Sequence, residues 1–259
     1  MIKQLLGFTK PIRYKLEDFL FRNFAEKEHL KSLKNQLQDK PILIVGNGPS
    51  LNKTPLDDFG SIASIGMNKI DLLFARVKWR PSMIMCTNNL VVRQHGKQFS
   101  TMDIPIYLAW KSRWFLRKKS KNIHYFNIKQ EDDFCSDVVE GVGAGATVTY
   151  AALQFAYYMG CNPVIIVGVD HSFDKTGGSF TYEKRETEDN NHFDPNYFGK
   201  GSYWGVPNLD ASEEVFARSR HAFEADGRKI YDATIDGKLQ IFDKISIEQA
   251  KKIANGKDT

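Results

Sequence analysis

The strongest constraint on this chain is a series of short, largely aliphatic runs, each ending in a polar or glycine-rich segment. They are Ile42-Leu43-Ile44-Val45, Ile62-Ala63-Ser64-Ile65, Met83-Ile84-Met85-Cys86, Ile104-Pro105-Ile106-Tyr107-Leu108 and Val164-Ile165-Ile166-Val167. A strand with one wet face alternates apolar and polar residues, whereas a run that is apolar at nearly every position needs cover on both faces. In a chain of 259 residues, enough for one large domain, this predicts an α/β fold: a Rossmann-like, doubly wound, mostly parallel sheet. Residues 145–160 read as a helix, with small residues for close packing and Gly160 as its C-terminal cap. Placed between the last two runs, it makes a right-handed βαβ unit. A further helix is expected from Asp210, as N-cap, to about Ala225, followed by a turn at Asp226-Gly227 and a last strand, Lys229–Asp232.

Three segments lie outside this rhythm. Residues 1–39 form an N-terminal helical extension, with Leu16, Phe19, Leu20, Phe24, Leu30, Leu33 and Leu37 at helical spacing through residues 14–38. This helix is expected to pack on the domain; the alternative is a basic amphipathic helix at a membrane surface or partner. Residues 172–208, inside a catalytic domain spanning 40–245, are polar and rich in Gly, Pro and Asn without a sustained period. A segment this long in such a domain reads as a lid, and Tyr182, Tyr197, Tyr203 and Trp204 argue against disorder. Residues 246–259 are expected as a C-terminal tail.

Composition narrows the function. No apolar run approaches the roughly 18 residues that span a bilayer, and the opening Met1–Lys10 is too briefly apolar for a secretory leader. The expectation is a cytoplasmic protein, peripheral at the inner membrane if its basic regions touch lipid. Cys86, Cys135 and Cys161 show neither disulfide nor zinc-ligand spacing. Basic residues gather at 10–40 and in Lys111 to Lys121, within a net charge of +5; such runs are solvated faces or contacts to anionic surfaces. No nucleic-acid partner is expected.

The chemistry is expected at the carboxyl ends of the strands, where open α/β sheets bind ligands. The turn Gly46-Asn47-Gly48-Pro49-Ser50 follows the first strand, with Pro49 placed to begin a helix. Its amides are expected to form an anion cradle that holds phosphate, although neither the Walker sequence nor the full dinucleotide fingerprint is present. Asn68 ends the second run and Asn88-Asn89 the third, so their amides converge on the same crevice. Asp170-His171 ends another: Asp170 can hold a metal, orient a base or simply close the turn. In the lid, His192 is the candidate general base, because imidazoles titrate near neutrality, and Asp189 or Asp194 can set its tautomer. Asp194, Tyr197, Lys200 and Tyr203 complete the lid candidates.

The stretch Ile44-Val-Gly-Asn-Gly-Pro-Ser-Leu51, Asn68 and the unit ending Gly160-Cys-Asn-Pro-Val-Ile-Ile-Val-Gly-Val-Asp170 resemble the bacterial lipo-oligosaccharide sialyltransferases. Gly168-Val-Asp-His-Ser-Phe173, His192-Phe-Asp-Pro-Asn-Tyr-Phe-Gly-Lys-Gly201 and Ala222-Phe-Glu-Ala-Asp-Gly-Arg228 resemble the MptE-like family over roughly residues 40–245. That family includes archaeal 6-hydroxymethylpterin diphosphokinases and bacterial proteins tied to surface-glycan and flagellin glycosylation. The resemblance implies a glycosyltransferase acting on a nucleotide-sugar donor, CMP-linked in the sialyltransferases, and a surface-glycan acceptor, with no cofactor required. It implies Asn47, Ser50, Asn68 and Asn88 or Asn89 as nucleotide contacts. It places Tyr182, with His171 near a second position, on the leaving phosphate, and His192 as the base. The alternatives are a diphosphokinase with Mg²⁺ on Asp170 and Asp194, and a non-catalytic nucleotide-binding module of a glycan-assembly complex.

Overall fold

The aliphatic runs form parallel strands. A computed structural model of the chain describes residues 15–25, 27–116, 120–173 and 181–256. In chain order these contain β1 (Ile42–Val45), β2 (Ala63–Met67), β3 (Met83–Cys86), β4 (Ile106–Ala109), β5 (Ile123–Phe126), β6 (Val164–Val167), β7 (Tyr182–Lys184), β8 (Tyr203–Gly205), β9 (Ile230–Asp232) and β10 (Asp243–Lys244). Eight of them make one sheet in the order β10-β9-β6-β1-β2-β3-β4-β5, every pairing parallel. The helices are α1 (residues 15–24), α2 (Glu28–Ser32), α3 (Asn89–Phe99), α4 (Val148–Tyr158), α5 (Leu209–Ala225) and α6 (Ile247–Ala254).

The continuous apolar runs are explained by cover on both faces. Ile42, Ile44, Val164 and Ile166 enter one core and Leu43, Val45, Ile165 and Val167 the other, all buried. The chain winds outward from β1 through β5, then returns through α4 to lay β6 on the other side of β1. The sheet therefore has its topological switch between β1 and β6, where a crevice opens at the strands' carboxyl ends. The βαβ expectation is corrected in one respect: β5 lies between β4 and α4, so α4 spans from an edge strand back to the centre. As an edge strand, Ile123-His124-Tyr125-Phe126 is only partly buried and needs no aliphatic run.

The single N-terminal helix is also corrected. Helix α1 ends by residue 24, α2 is only five residues long, and the following segment is held by another demand. The amides of Asn35, Leu37 and Asp39 donate to the carbonyls of Tyr158, Met159 and Gly160, satisfying the orphan acceptors at the end of α4. Leu30 and Leu33 are buried, as a packed helix requires, but Leu16, Phe19 and Phe24 are exposed. Asn208, not Asp210, caps α5, its side chain accepting from the amide of Ala211. The segment 246–259 carries α6, opened by a capping box between Ser246 and Gln249. Cys86 and Cys161 are buried, Cys135 is half-buried and all three are free; burial pushes the Cys86 thiol up to about 12. Among the described residues no helix is long and apolar enough to cross a membrane.

Candidate active site

The turn after β1 lies in the crevice, but the amides of Gly46, Gly48 and Ser50 are already engaged. Gly46 donates to the Val167 carbonyl and Gly48 to that of Gly168. The amide and hydroxyl of Ser50 donate to the two carboxylate oxygens of Asp170, at 3.0 and 2.7 Å. Three of the amides expected to cradle an anion are thus spent on the Val167–Asp170 segment, and the two strand-end turns bind each other. The glycines serve that contact. A Cβ on Gly48 would stand 1.8 Å from Asp170 Oδ2, and one on Gly46 2.1 Å from the Gly168 carbonyl oxygen. Pro49 opens a five-residue 3-10 turn instead of an α-helix, and neither Pro49 nor buried Ser50 is in the crevice wall. Burial, the largest influence, raises the pKa of Asp170, and the Ser50 hydrogen bonds oppose it.

Because the obstacle at Gly46 is backbone, it cannot swing aside. Gly46→Ala is expected to destabilise the fold by about 2 kcal/mol through overpacking, lowering Tm by roughly 4–8 °C, which calorimetry reads directly. A variant with unchanged Tm would show that the two turns are not in close contact.

Two adjoining recesses, about 150 and 390 Å³, occupy the crevice and share Asn68, Ala146, Thr147, Val148, Phe173, His192 and Pro207 as walls. The inner one is walled by Gly46, Asn47, Gly48, Asp170 and His171, the outer by Thr87, Asn88, Lys111, Tyr182, Tyr197 and Trp204. Asn47 and Asn68 both present a side-chain carbonyl oxygen that is buried and has no hydrogen-bond partner among the described residues. An unpaired buried acceptor costs about 1–3 kcal/mol, so each would be stabilised by an N–H or O–H that reached it. Asn68 reaches its position through a left-handed backbone, φ 51°. Asn88 lines the outer recess, but its side chain caps α3 by accepting from the Leu90 amide. Asn89 is outside both walls and accepts from the Ser112 hydroxyl at 2.7 Å.

Residues 189–198 form a fixed wall. The Phe193 amide donates to the Asn47 carbonyl at 3.0 Å, and Asn52 Nδ2 to the Phe193 carbonyl at 3.0 Å. Lys69, buried beneath the wall, donates to the Tyr197 carbonyl at 2.7 Å and stands 4.7 Å over the Phe198 ring; burial lowers its pKa. Tyr197 is buried, which raises its pKa, and stacks on His192 with centroids 4.0 Å apart and planes within 1°.

His192 therefore has a fixed orientation. Its Nδ1 lies 2.8 Å from Asp189 Oδ2, which assigns the proton to Nδ1 and leaves Nε2 as the basic nitrogen of a ring that walls both recesses. Asp194, the other carboxylate considered, turns away toward Arg76 at 3.5 Å. His171 walls the inner recess with Nε2 2.8 Å from Glu213 Oε1. Tyr182 is an exposed rim residue of the outer recess. Lys200 and Tyr203 are exposed and outside both walls.

The sequence reading missed one wall. The loop Ala144–Thr147 and the first turn of α4 line the recesses, bringing the positive end of an 11-residue helix, capped by Thr147, to the ligand space. The signal is present in Gly141-Val-Gly-Ala-Gly-Ala-Thr147, a glycine-rich approach to an N-cap; the helix expected over 145–160 begins only at Val148, after the Thr147 cap.

No family model matches the chain, and no curated protein does. Among solved structures, the MAf glycosyltransferase from Magnetospirillum magneticum AMB-1 is similar over 86% of this chain, with TM-score 0.52 and 13% identity. The chain spans only 38% of that protein's length. The similarity shows a shared fold.

Proposed function

We propose that this protein is a glycosyltransferase that moves a sugar from a nucleotide-activated donor, CMP-linked by the sialyltransferase resemblance, to a glycan acceptor. The observation that carries the reading is the Asp189-oriented imidazole of His192 beside the unpaired carbonyls of Asn47 and Asn68. A nucleoside supplies the missing donors through ribose hydroxyls or an exocyclic amine. The donor phosphate lies toward the α4 N-terminus and Lys111, with Tyr182 and His171 on its flanks. His192 Nε2 takes the acceptor hydroxyl proton as that oxygen bonds to the anomeric carbon. The bond from that carbon to the donor phosphate oxygen breaks, and the phosphate leaves with the electron pair. Positive dipoles facing this growing charge stabilise the transition state. A glycosyltransferase fold neighbour supports the class. Diphosphate transfer is the weaker reading because, of the two carboxylates it assigns to Mg²⁺, Asp170 accepts from Ser50 with both oxygens and Asp194 turns toward Arg76.

The test is a thermal-shift screen of CMP, CDP, UDP, GDP, ADP and ATP, each with Mg²⁺ or EDTA. A cytidine nucleotide at a hundred times its Kd adds about 2.7 kcal/mol, raising Tm by roughly 5–10 °C with or without EDTA. Stabilisation by ATP alone, abolished by EDTA, would replace this reading with the diphosphokinase. Nucleotide binding without transfer to any acceptor would favour a non-catalytic module.

A further inference from the structure

One surface is unexplained by the site. In α1, Glu17 pairs with Arg113 at 2.7 Å, Asp18 accepts from Asn127 at 2.8 Å, and Phe21 is buried edge-on to Trp110 at 5.7 Å. These contacts turn the partly polar side of the helix inward. Its apolar stripe, Leu16, Phe19 and Phe24, faces solvent at 54, 57 and 70% exposure. The 3-10 turn Trp110–Phe115, which follows β4 and is held to α1 by the Arg113–Glu17 pair, adds Trp114 at 70% and Phe115 at 38%. This clustering exceeds the scattered apolar exposure of an ordinary surface.

Charge indicates what covers it. Residues 111–121 contain six cations, Lys111, Arg113, Arg117, Lys118, Lys119 and Lys121, and no Asp or Glu; of these Arg113 is already paired with Glu17. Arg113 stacks over both Trp110 and Trp114, at 4.0 and 4.4 Å. Aromatic side chains flanked by cations match the boundary between acyl chains and anionic headgroups. A protein partner would have to be both apolar and strongly acidic, whereas an anionic bilayer offers both properties in one surface.

We propose that α1 and the Trp110–Phe115 turn seat this protein on an anionic lipid surface. Lys111 belongs to that turn and to the wall of the outer recess, so docking places the cleft at headgroup level. If the proposed transfer reaction holds, the acceptor is then a glycan anchored in lipid; the docking itself does not depend on that reading.

The test is co-sedimentation of the full chain with vesicles of phosphatidylcholine alone or mixed with phosphatidylglycerol, at low and high salt. The expected result is binding to the mixed vesicles only, weakened by salt, and reduced at least tenfold in a Phe19→Ser/Trp114→Ser variant whose Tm is unchanged because both side chains are exposed. Equal binding to both vesicle types, no binding, or a variant that binds as well as the parent would each overturn the proposal. So would a dimer, seen by gel filtration, that the double variant splits, since the face would then belong to a second copy. None of these readouts requires activity.

Discussion

His192→Ala is expected to lower kcat for sugar transfer by about 10²–10⁴-fold, the usual contribution of a positioned general base. Donor affinity should change little, because the nucleotide is assigned to Asn47, Asn68 and the α4 N-terminus. The ring also packs, stacking on Tyr197 at 4.0 Å, so alanine leaves a void that could lower activity through mispacking alone. His192→Gln fills much of that void and keeps a donor for Asp189, yet has no basic nitrogen. If the base is what matters, both variants lose kcat alike while nucleotide-induced thermal shifts persist, and added imidazole restores part of the rate to His192→Ala. Full transfer by either variant would remove His192 from the mechanism.

What could be read in the sequence depended on how local the cause was. The central strands were legible because burial on both faces leaves its mark residue by residue, as in Ile42–Val45 and Val164–Val167. Strand β5 was not, because an edge position imposes no such pattern on Ile123–Phe126. Gly46 and Gly48 correctly signalled a close approach, but glycine does not say what approaches. The occupants are the Gly168 carbonyl at Gly46 and Asp170 at Gly48; Asp170 lies 120 residues along the chain from Ser50, and pairing at that range has no local signature. The same limit applied to the lid. His192 and its two carboxylate candidates were visible, but Asp194 is removed by Arg76 and Asp189 selected by the fold of the wall. Asn88 and Asn89 stand at a strand end as expected, yet one caps α3 and the other accepts from Ser112. Strand-end asparagines serve turns as readily as ligands.

Asp189→Ala should have the largest effect on the fold itself. The carboxylate is 1% exposed and accepts from four donors: His192 Nδ1 at 2.8 Å, the amides of Asn191 and Phe198 at 2.9 and 3.1 Å, and Arg185 at 3.3 Å. Its removal leaves two backbone N–H groups and a largely buried guanidinium without that acceptor, and breaking a buried pair this way costs about 3–5 kcal/mol. Tm should fall by on the order of 10 °C. The loss has a pH signature. Burial alone would raise the Asp189 pKa, but the His192 hydrogen bond and charge, the Asn191 amide and Arg185 together hold it below the usual range. A carboxylate whose pKa is depressed on folding stabilises the native state above its unfolded value, about 4, and that contribution fades as pH falls through the lower folded value. The Tm gap between parent and variant is therefore present in full above about pH 4 and narrows as pH falls below it. Asp189→Asn keeps the shape but offers an amide donor in place of one acceptor oxygen, so it should lose transfer activity even where it remains folded. A gap that stays constant across this pH range would mean that packing, not the carboxylate, holds the wall.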